Sequence, residues 1–197
     1  MAALPAAEGK ATVAWLGPGL VQTTSLNPRD TGNLLLIGGA AHKENEAAAE
    51  MLARIKPLWL KSVTGIGVST EVKAIIDREF GPDFGTWMSN VSDDEVLRAY
   101  RQAEFFMLLS QDEGFGLPFV EALASGCQVI ALDQPLTREL LGDACTYVSR
   151  DHASDSLILA EKPAISVEAR MSVVNRFSWS NFGDAVVGKL QVDDLAQ

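Results

Sequence analysis

Short runs of consecutive apolar residues alternate along this chain with longer stretches in which apolar positions return every third or fourth residue. Leu34–Ile37 is the first clear run. It is closed by Gly38 and Gly39 and has the unbroken apolar character of a strand covered on both faces. From about Glu44 to Ile55 the residues Ala48, Met51, Leu52 and Ile55 fall at helical spacing, and Pro57 ends that helix soon after. The same alternation predicts further strands over 62–68, 86–88, 105–109, 127–132 and 146–148. One intervening helix, capped by Thr70, carries Val72, Ile75, Ile76 and Phe80 on one face and stops at Gly81-Pro82. Another opens on the capping box Ser92-Asp93-Asp94-Glu95 and turns Val96, Leu97, Tyr100 and Ala103 inward. A third covers 119–124, with Pro118 in its first turn and Gly126 after its end. Helices near 155–162, 166–176 and 179–190 complete the pattern.

Strands separated by helices must be joined by crossovers, so the pattern predicts an α/β fold. The expected form is a single Rossmann-like, doubly wound, mostly parallel sheet of about six strands. Residues 1–32 are rich in Ala, Gly, Pro, Thr and Ser; they read as a linker or extension, with 22–32 as a loop, which leaves 33–192 as the domain. Ligands of such folds bind beyond the carboxyl ends of the strands, at the point where strand order reverses. The loops after Ile37, Val68, Met88, Leu109 and Leu132 are therefore the ones to inspect.

Composition narrows the partners. The 197 residues suffice for one sizeable core, and 47% hydrophobic with 21% charged residues is ordinary for a soluble globular protein. A formal charge of −10, with 16 scattered Lys and Arg, argues against nucleic acid and anionic membrane surfaces. No apolar stretch approaches the roughly twenty residues of a transmembrane helix, and no secretory pattern opens the chain, so a cytoplasmic protein is expected. Cys127 and Cys145 have no metal-ligand spacing and read as small core residues in a reducing compartment. Asp93-Asp94 belongs to a helix start, and Asp151-His152 with Asp155 to a polar loop, so no metal site is expected.

The loop after Leu109 carries the most chemistry. It reads Ser110-Gln111-Asp112-Glu113-Gly114-Phe115-Gly116-Leu117-Pro118 and leads into a helix that contains Glu121. Its glycines permit close approach of a ligand, and the amides of Phe115, Gly116 and Leu117 stand at a helix N-terminus that favours an anion. Glu113 and Glu121 offer acceptors suited to sugar and ribose hydroxyls. A glycine turn before a helix is also common without any ligand, and these residues alone leave both readings open.

The string Glu113-Gly-Phe-Gly-Leu-Pro-Phe-Val-Glu121-Ala-Leu-Ala-Ser-Gly126 resembles the signature of family 4 (group 1) of the GT-B glycosyltransferases. VSDDEVLRAYRQA (91–103), CQVIAL (127–132), RELLGDA (138–144) and RFSW (176–179) also resemble segments of that family, in the same order, so the likeness runs from about Leu34 to Leu190. The resemblance implies the nucleotide-sugar donor domain of a retaining, hexosyltransferase-like enzyme of polysaccharide or glycoconjugate assembly. Glu113 would contact the donor sugar in the catalytic role, and Glu121 would hold the ribose hydroxyls. The amides of Phe115, Gly116 and Leu117, together with Gly39 and Lys43, would approach the sugar and diphosphate, and Val91 would meet the base. No cofactor or metal is implied beyond the nucleoside-diphosphate sugar itself.

Two departures qualify what the resemblance implies. The family's first strand ends Gly-Arg with Lys-Gly about six residues on, whereas here Ile37-Gly38-Gly39 has no arginine, Lys43 is displaced by one, and Ser89 replaces a glycine before Val91. Loss of a cation at the leaving diphosphate weakens both binding and departure. The acceptor-binding Rossmann-like domain, which precedes the donor domain in the family, is also expected elsewhere, in a parent chain or a separate subunit. The isolated domain is accordingly expected to bind donor without efficient transfer. The alternative is a non-catalytic binding or interaction module of the same fold. A nicotinamide-dependent dehydrogenase is excluded, because the first strand lacks Gly-x-Gly-x-x-Gly and the second does not end on an acidic residue.

Overall fold

The computed structural model describes residues 29–38, 44–111, 115–149 and 155–184. Their apolar runs become six strands, β1 (Asp30–Ile37), β2 (Ser62–Ile66), β3 (Gly85–Met88), β4 (Ala103–Leu108), β5 (Gln128–Leu132) and β6 (Thr146–Val148). Seven helices join or follow them: α1 (Asn45–Ile55), α2 (Thr70–Phe80), α3 (Asp93–Gln102), α4 (Leu117–Ala124), α5 (Pro135–Leu141), α6 (Asp155–Ala160) and α7 (Val167–Arg176). A further helical segment covers 179–184.

The strands form one sheet in the order β3-β2-β1-β4-β5-β6, and every pairing in it is parallel. Leu34 lies opposite Val63 on one side and Phe105 on the other, which puts β1 and β4 at the centre. Side chains alternate between the two faces of a strand, and the core divides accordingly. Leu34, Leu36, Phe105 and Met107 face one layer with Met51, Leu52, Val72 and Ile76 of α1 and α2. Leu35, Phe106 and Leu108 face the other with Tyr100, Phe119, Leu123 and Val173 of α3, α4 and α7. Burying each such side chain contributes about 1.5–3 kcal/mol, so the doubly covered sheet is the source of most of the stability.

Several boundaries differ from the pattern-based expectation for identifiable reasons. β1 begins at Asp30, inside the stretch expected to be a loop. Its polar residues are paired individually: the Gly32 amide donates to Glu104 Oε2 at 2.7 Å, and Asn33 Nδ2 to Ser62 Oγ at 2.8 Å and Thr64 Oγ1 at 3.1 Å. β2 stops at Ile66 rather than 68 because Gly67 takes φ +64 and turns the chain. Ser69, not Thr70, caps α2, accepting from the Val72 amide at 3.3 Å. α5 is an addition: the pattern assigned no helix between the strands over 127–132 and 146–148, yet Pro135–Leu141 is helical. No helix among the described residues is long and apolar enough to cross a membrane. Both cysteines are free, with Cys127 buried and Cys145 half-buried.

Candidate functional site

Strand order reverses between β1 and β4. From β1 the chain moves outward to β2 and β3, then returns to lay β4 on the other side of β1. The loops leaving β1 and β4 must therefore diverge, and they open a crevice at the carboxyl edge of the sheet. α1 and α4 both start at this crevice. Glu44 at the N-cap of α1 and Gly116 at the N-cap of α4 both take left-handed backbone, with φ 50 and 62, and neither start has a side-chain capping bond. In α4 Pro118 has no amide hydrogen and the Phe119 amide donates to the Gly116 carbonyl at 3.0 Å, so only the amides before Pro118 could serve another acceptor.

Gly116 is required there twice over. Its φ is positive, and an added Cβ would stand 2.6 Å from Leu140 Cδ1 and 3.3 Å from Phe119 Cδ2. Pro118 then fills the first turn, where a missing amide hydrogen costs nothing. Leu140 comes from α5, the helix that the sequence pattern did not reveal, so α5 supports the floor of the turn. Phe115 holds its ring out to solvent, 54% exposed.

Polar groups line the two loops. Asn45 is buried, and its Nδ2 donates to the carbonyls of Gly38 and, at 3.4 Å, Ile37, closing the end of β1 onto α1. Gln111 Nε2 donates to Glu44 Oε1, tying the loop after β4 to the start of α1. The Ser110 carbonyl accepts from Gln134 Nε2 at 2.9 Å. Asn45 Oδ1 and Ser110 Oγ are buried without a hydrogen-bond partner among the described residues.

Glu121 lies about one turn into α4 and is half-buried. The Tyr100 phenol reaches its Oε2 at 3.4 Å. Tyr100 is only 1% exposed and belongs to an aromatic row, with ring centroids 5.5 Å from Phe106, which is in turn 6.3 Å from Phe119. Val91 packs half-buried on the core just before Ser92, where Glu95 Oε2 accepts from the Ser92 amide at 2.8 Å to start α3. Of the residues expected at the site, Phe115, Gly116 and Leu117 gather at the start of α4 and Glu121 follows within it. Val91 stands at the start of α3, and Gly39, Lys43 and Glu113 lie outside the described residues. Asn45, Tyr100, Ser110 and Gln111 were not among the expected site residues. Ser110 and Gln111 follow the end of β4 and Asn45 and Tyr100 lie in α1 and α3, positions visible in the pattern although their pairings were not.

The thiols take no part here. Cys127 sits at the amino end of β5, and burial pushes it up to about 12 against the opposing pull of the Arg29 guanidinium. A thiol held neutral in this way is not a nucleophile.

The match with known proteins covers this crevice. The family described as Glycosyl transferases group 1 matches residues 37–161, and the chain belongs to that family. Its fold is that of the C-terminal Rossmann-like domain of a GT-B glycosyltransferase. A GDP-mannose:cellobiosyl-diphosphopolyprenol alpha-mannosyltransferase of Xanthomonas oryzae pv. oryzae is 30% identical over 161 residues, which is 73% of this chain and 41% of that protein. The serotype-specific mannosyltransferase WbdA of Escherichia coli is 27% identical over 110 residues, 54% of this chain and 14% of that protein. The chain thus spans less than half the length of either relative. The crystal structure of S. aureus TarM in complex with fondaparinux, alpha-GlcNAc-glycerol and UDP superimposes with a TM-score of 0.68 at 13% identity, over 87% of this chain and 38% of that one.

Proposed function

We propose that this chain is the donor-binding domain of a retaining glycosyltransferase, and that it takes a nucleoside-diphosphate sugar into the crevice between the loops after β1 and β4. The observation that carries the reading is the pair of uncapped helix starts, α1 and α4, converging on the strand-order reversal within the segment that matches the family. Amide donors and helix dipoles at that point suit a diphosphate and would stabilise it as a leaving group without a metal. Phe115, Gly116 and Leu117 supply those amides, and Gly39 and Lys43, between β1 and α1 in the sequence, join them in holding the sugar and diphosphate. Glu113 takes the donor-sugar hydroxyls at the reacting end, Glu121 the ribose diol, and Val91 the edge of the base. The acceptor is presented by a second Rossmann-like domain, in the same parent chain or a separate subunit, and without it the domain binds donor with little transfer. Two free thiols accord with a cytoplasmic setting.

The mannosyltransferase relatives make GDP-mannose the first donor to try. Calorimetry with GDP-mannose, GDP, UDP and UDP-sugars should show saturable binding, and Glu121→Ala should weaken it by about 10- to 100-fold, the effect of losing a charged hydrogen-bond acceptor. A second reading, a non-catalytic module of the same fold, draws on Glu44, whose carboxylate is held by Gln111 at the start of α1 close to where the diphosphate would lie. Absence of binding to every nucleotide would favour it.

A further inference from the structure

We infer that Glu44, whose carboxylate Gln111 holds across the crevice, is a specificity-determining residue that sets the site against the free nucleoside diphosphate relative to the sugar-bearing donor. The inference rests on the crevice taking a nucleoside-diphosphate sugar, and it adds the residue that tells donor from spent nucleotide.

Glu44 stands at the start of α1 and Gln111 in the loop after β4. The bond from Gln111 Nε2 to Glu44 Oε1 therefore joins the two loops whose divergence forms the crevice. Each end is anchored by its neighbour in the chain. Asn45 Nδ2 donates to the Gly38 and Ile37 carbonyls, and the Ser110 carbonyl accepts from Gln134 Nε2 at 2.9 Å. The carboxylate does not serve its own helix: Glu44 is the N-cap of α1, yet its side chain caps no amide there. Its backbone is left-handed, with φ 50, a conformation that glycine adopts freely and a residue with a side chain only at a cost. Glycine would start this helix as well. What Glu44 adds is a negative charge beside the proposed diphosphate position.

An amide donor orients that charge without neutralising it. The charge of the ligand then decides the outcome. The terminal phosphate of a free nucleoside diphosphate has a second pKa of about 6, so at neutral pH it carries close to one more negative charge than the same phosphate esterified by a sugar. Nearby like charges repel. The penalty falls hardest on the free diphosphate, less on the donor, and not at all on a nucleoside. The Glu44–Gln111 contact is exposed, so salt should screen the effect. Such a carboxylate opposes retention of the nucleotide that transfer leaves behind.

The test compares wild type, Glu44→Gln and Glu44→Gly in the intact chain. Calorimetry is run with GDP-mannose, GDP and guanosine and with UDP-glucose, UDP and uridine, at low and at high salt, and thermal melts follow folding. Glu44→Gln keeps the shape of the side chain and an acceptor for Gln111. It should tighten binding of the free diphosphate by about three- to tenfold, tighten the matching sugar donor by less, and leave the nucleoside unchanged. High salt should shrink the gain. Glu44→Gly should reproduce the change in selectivity, since the charge is what both variants remove. An equal shift for diphosphate and donor, no shift in either, or weaker binding of the diphosphate would overturn the inference while the donor site stands. If neither wild type nor Glu44→Gln binds any of the nucleotides, the reading of the crevice fails and takes the inference with it.

Discussion

Six of the described helix starts, those of α1 to α5 and α7, fall into two groups, and the difference separates folding from function. α2 and α7 are closed by serines: Ser69 Oγ accepts from the Val72 amide at 3.3 Å and Ser166 Oγ from the Ala169 amide at 3.1 Å. α3 opens on Ser92 with Glu95 folded back onto it, and α5 on Gln134 with Thr137. α1 and α4 have left-handed N-caps and no capping side chain, and these two flank the strand-order reversal. An uncapped start forgoes about 1 kcal/mol of local stability. That loss falls at the two starts beside the strand-order reversal, and the starts of α2, α3, α5 and α7 are sealed. Stability and binding should therefore respond separately to changes in the two groups.

The largest expected effect is at Gly116. Gly116→Ala meets the positive φ and the 2.6 Å approach of Leu140 together and should cost about 2–4 kcal/mol in denaturant unfolding, with loss of nucleotide binding. Gly67→Ala is the control: its φ is +64, but an added Cβ there meets nothing within 4 Å, so only the backbone cost of about 1–2 kcal/mol applies. Equal losses at the two glycines would mean that the contact with α5 plays no part in shaping the α4 start. The next effect is smaller. Ser166→Ala removes a cap beside the amino end of β5, away from the carboxyl edge of the sheet, and should cost about 1 kcal/mol while leaving nucleotide affinity unchanged. A shift in affinity comparable to that of a crevice substitution would erase the distinction between the two groups.

The legibility of these features in the sequence followed the same division. Capping box, glycine stops and unbroken apolar runs act within a few residues, and the six strands and the start of α3 could be read from them. Asp30–Asn33 escaped because a strand whose polar groups are paired one by one, to Glu104, Ser62 and Thr64, has no hydrophobic signature. α5 escaped because one Pro-led segment of seven residues is too short to establish a period. At the site, Glu121 and the glycine turn were legible from composition and spacing. Tyr100 read only as an inward aromatic residue of its helix, because its contact with Glu121 joins two helices. Ser110 and Asn45 carry no chemical signal until the sheet brings the ends of β1 and β4 side by side.

The smallest effect tests the sealed group by pH. The Ser92 amide and hydroxyl both donate to Glu95, and these bonds hold its carboxyl below the ordinary value of 4.5. Because the folded state depresses this pKa, the cap's contribution is fully present above pH 4.5, the value of the free side chain, and drains away as pH falls below it. Amide exchange in the first turn of α3 should therefore quicken below about pH 4.5, ahead of exchange in β4, and Glu95→Gln should flatten that acid dependence without altering exchange at the start of α4. Gly116, the N-cap of α4, has no side chain to titrate, so exchange there should follow pH through the intrinsic rate. If acid loosened α4 in step with α3, the two kinds of helix start would be coupled through the sheet, and the separation of folding from binding proposed here would have to be given up.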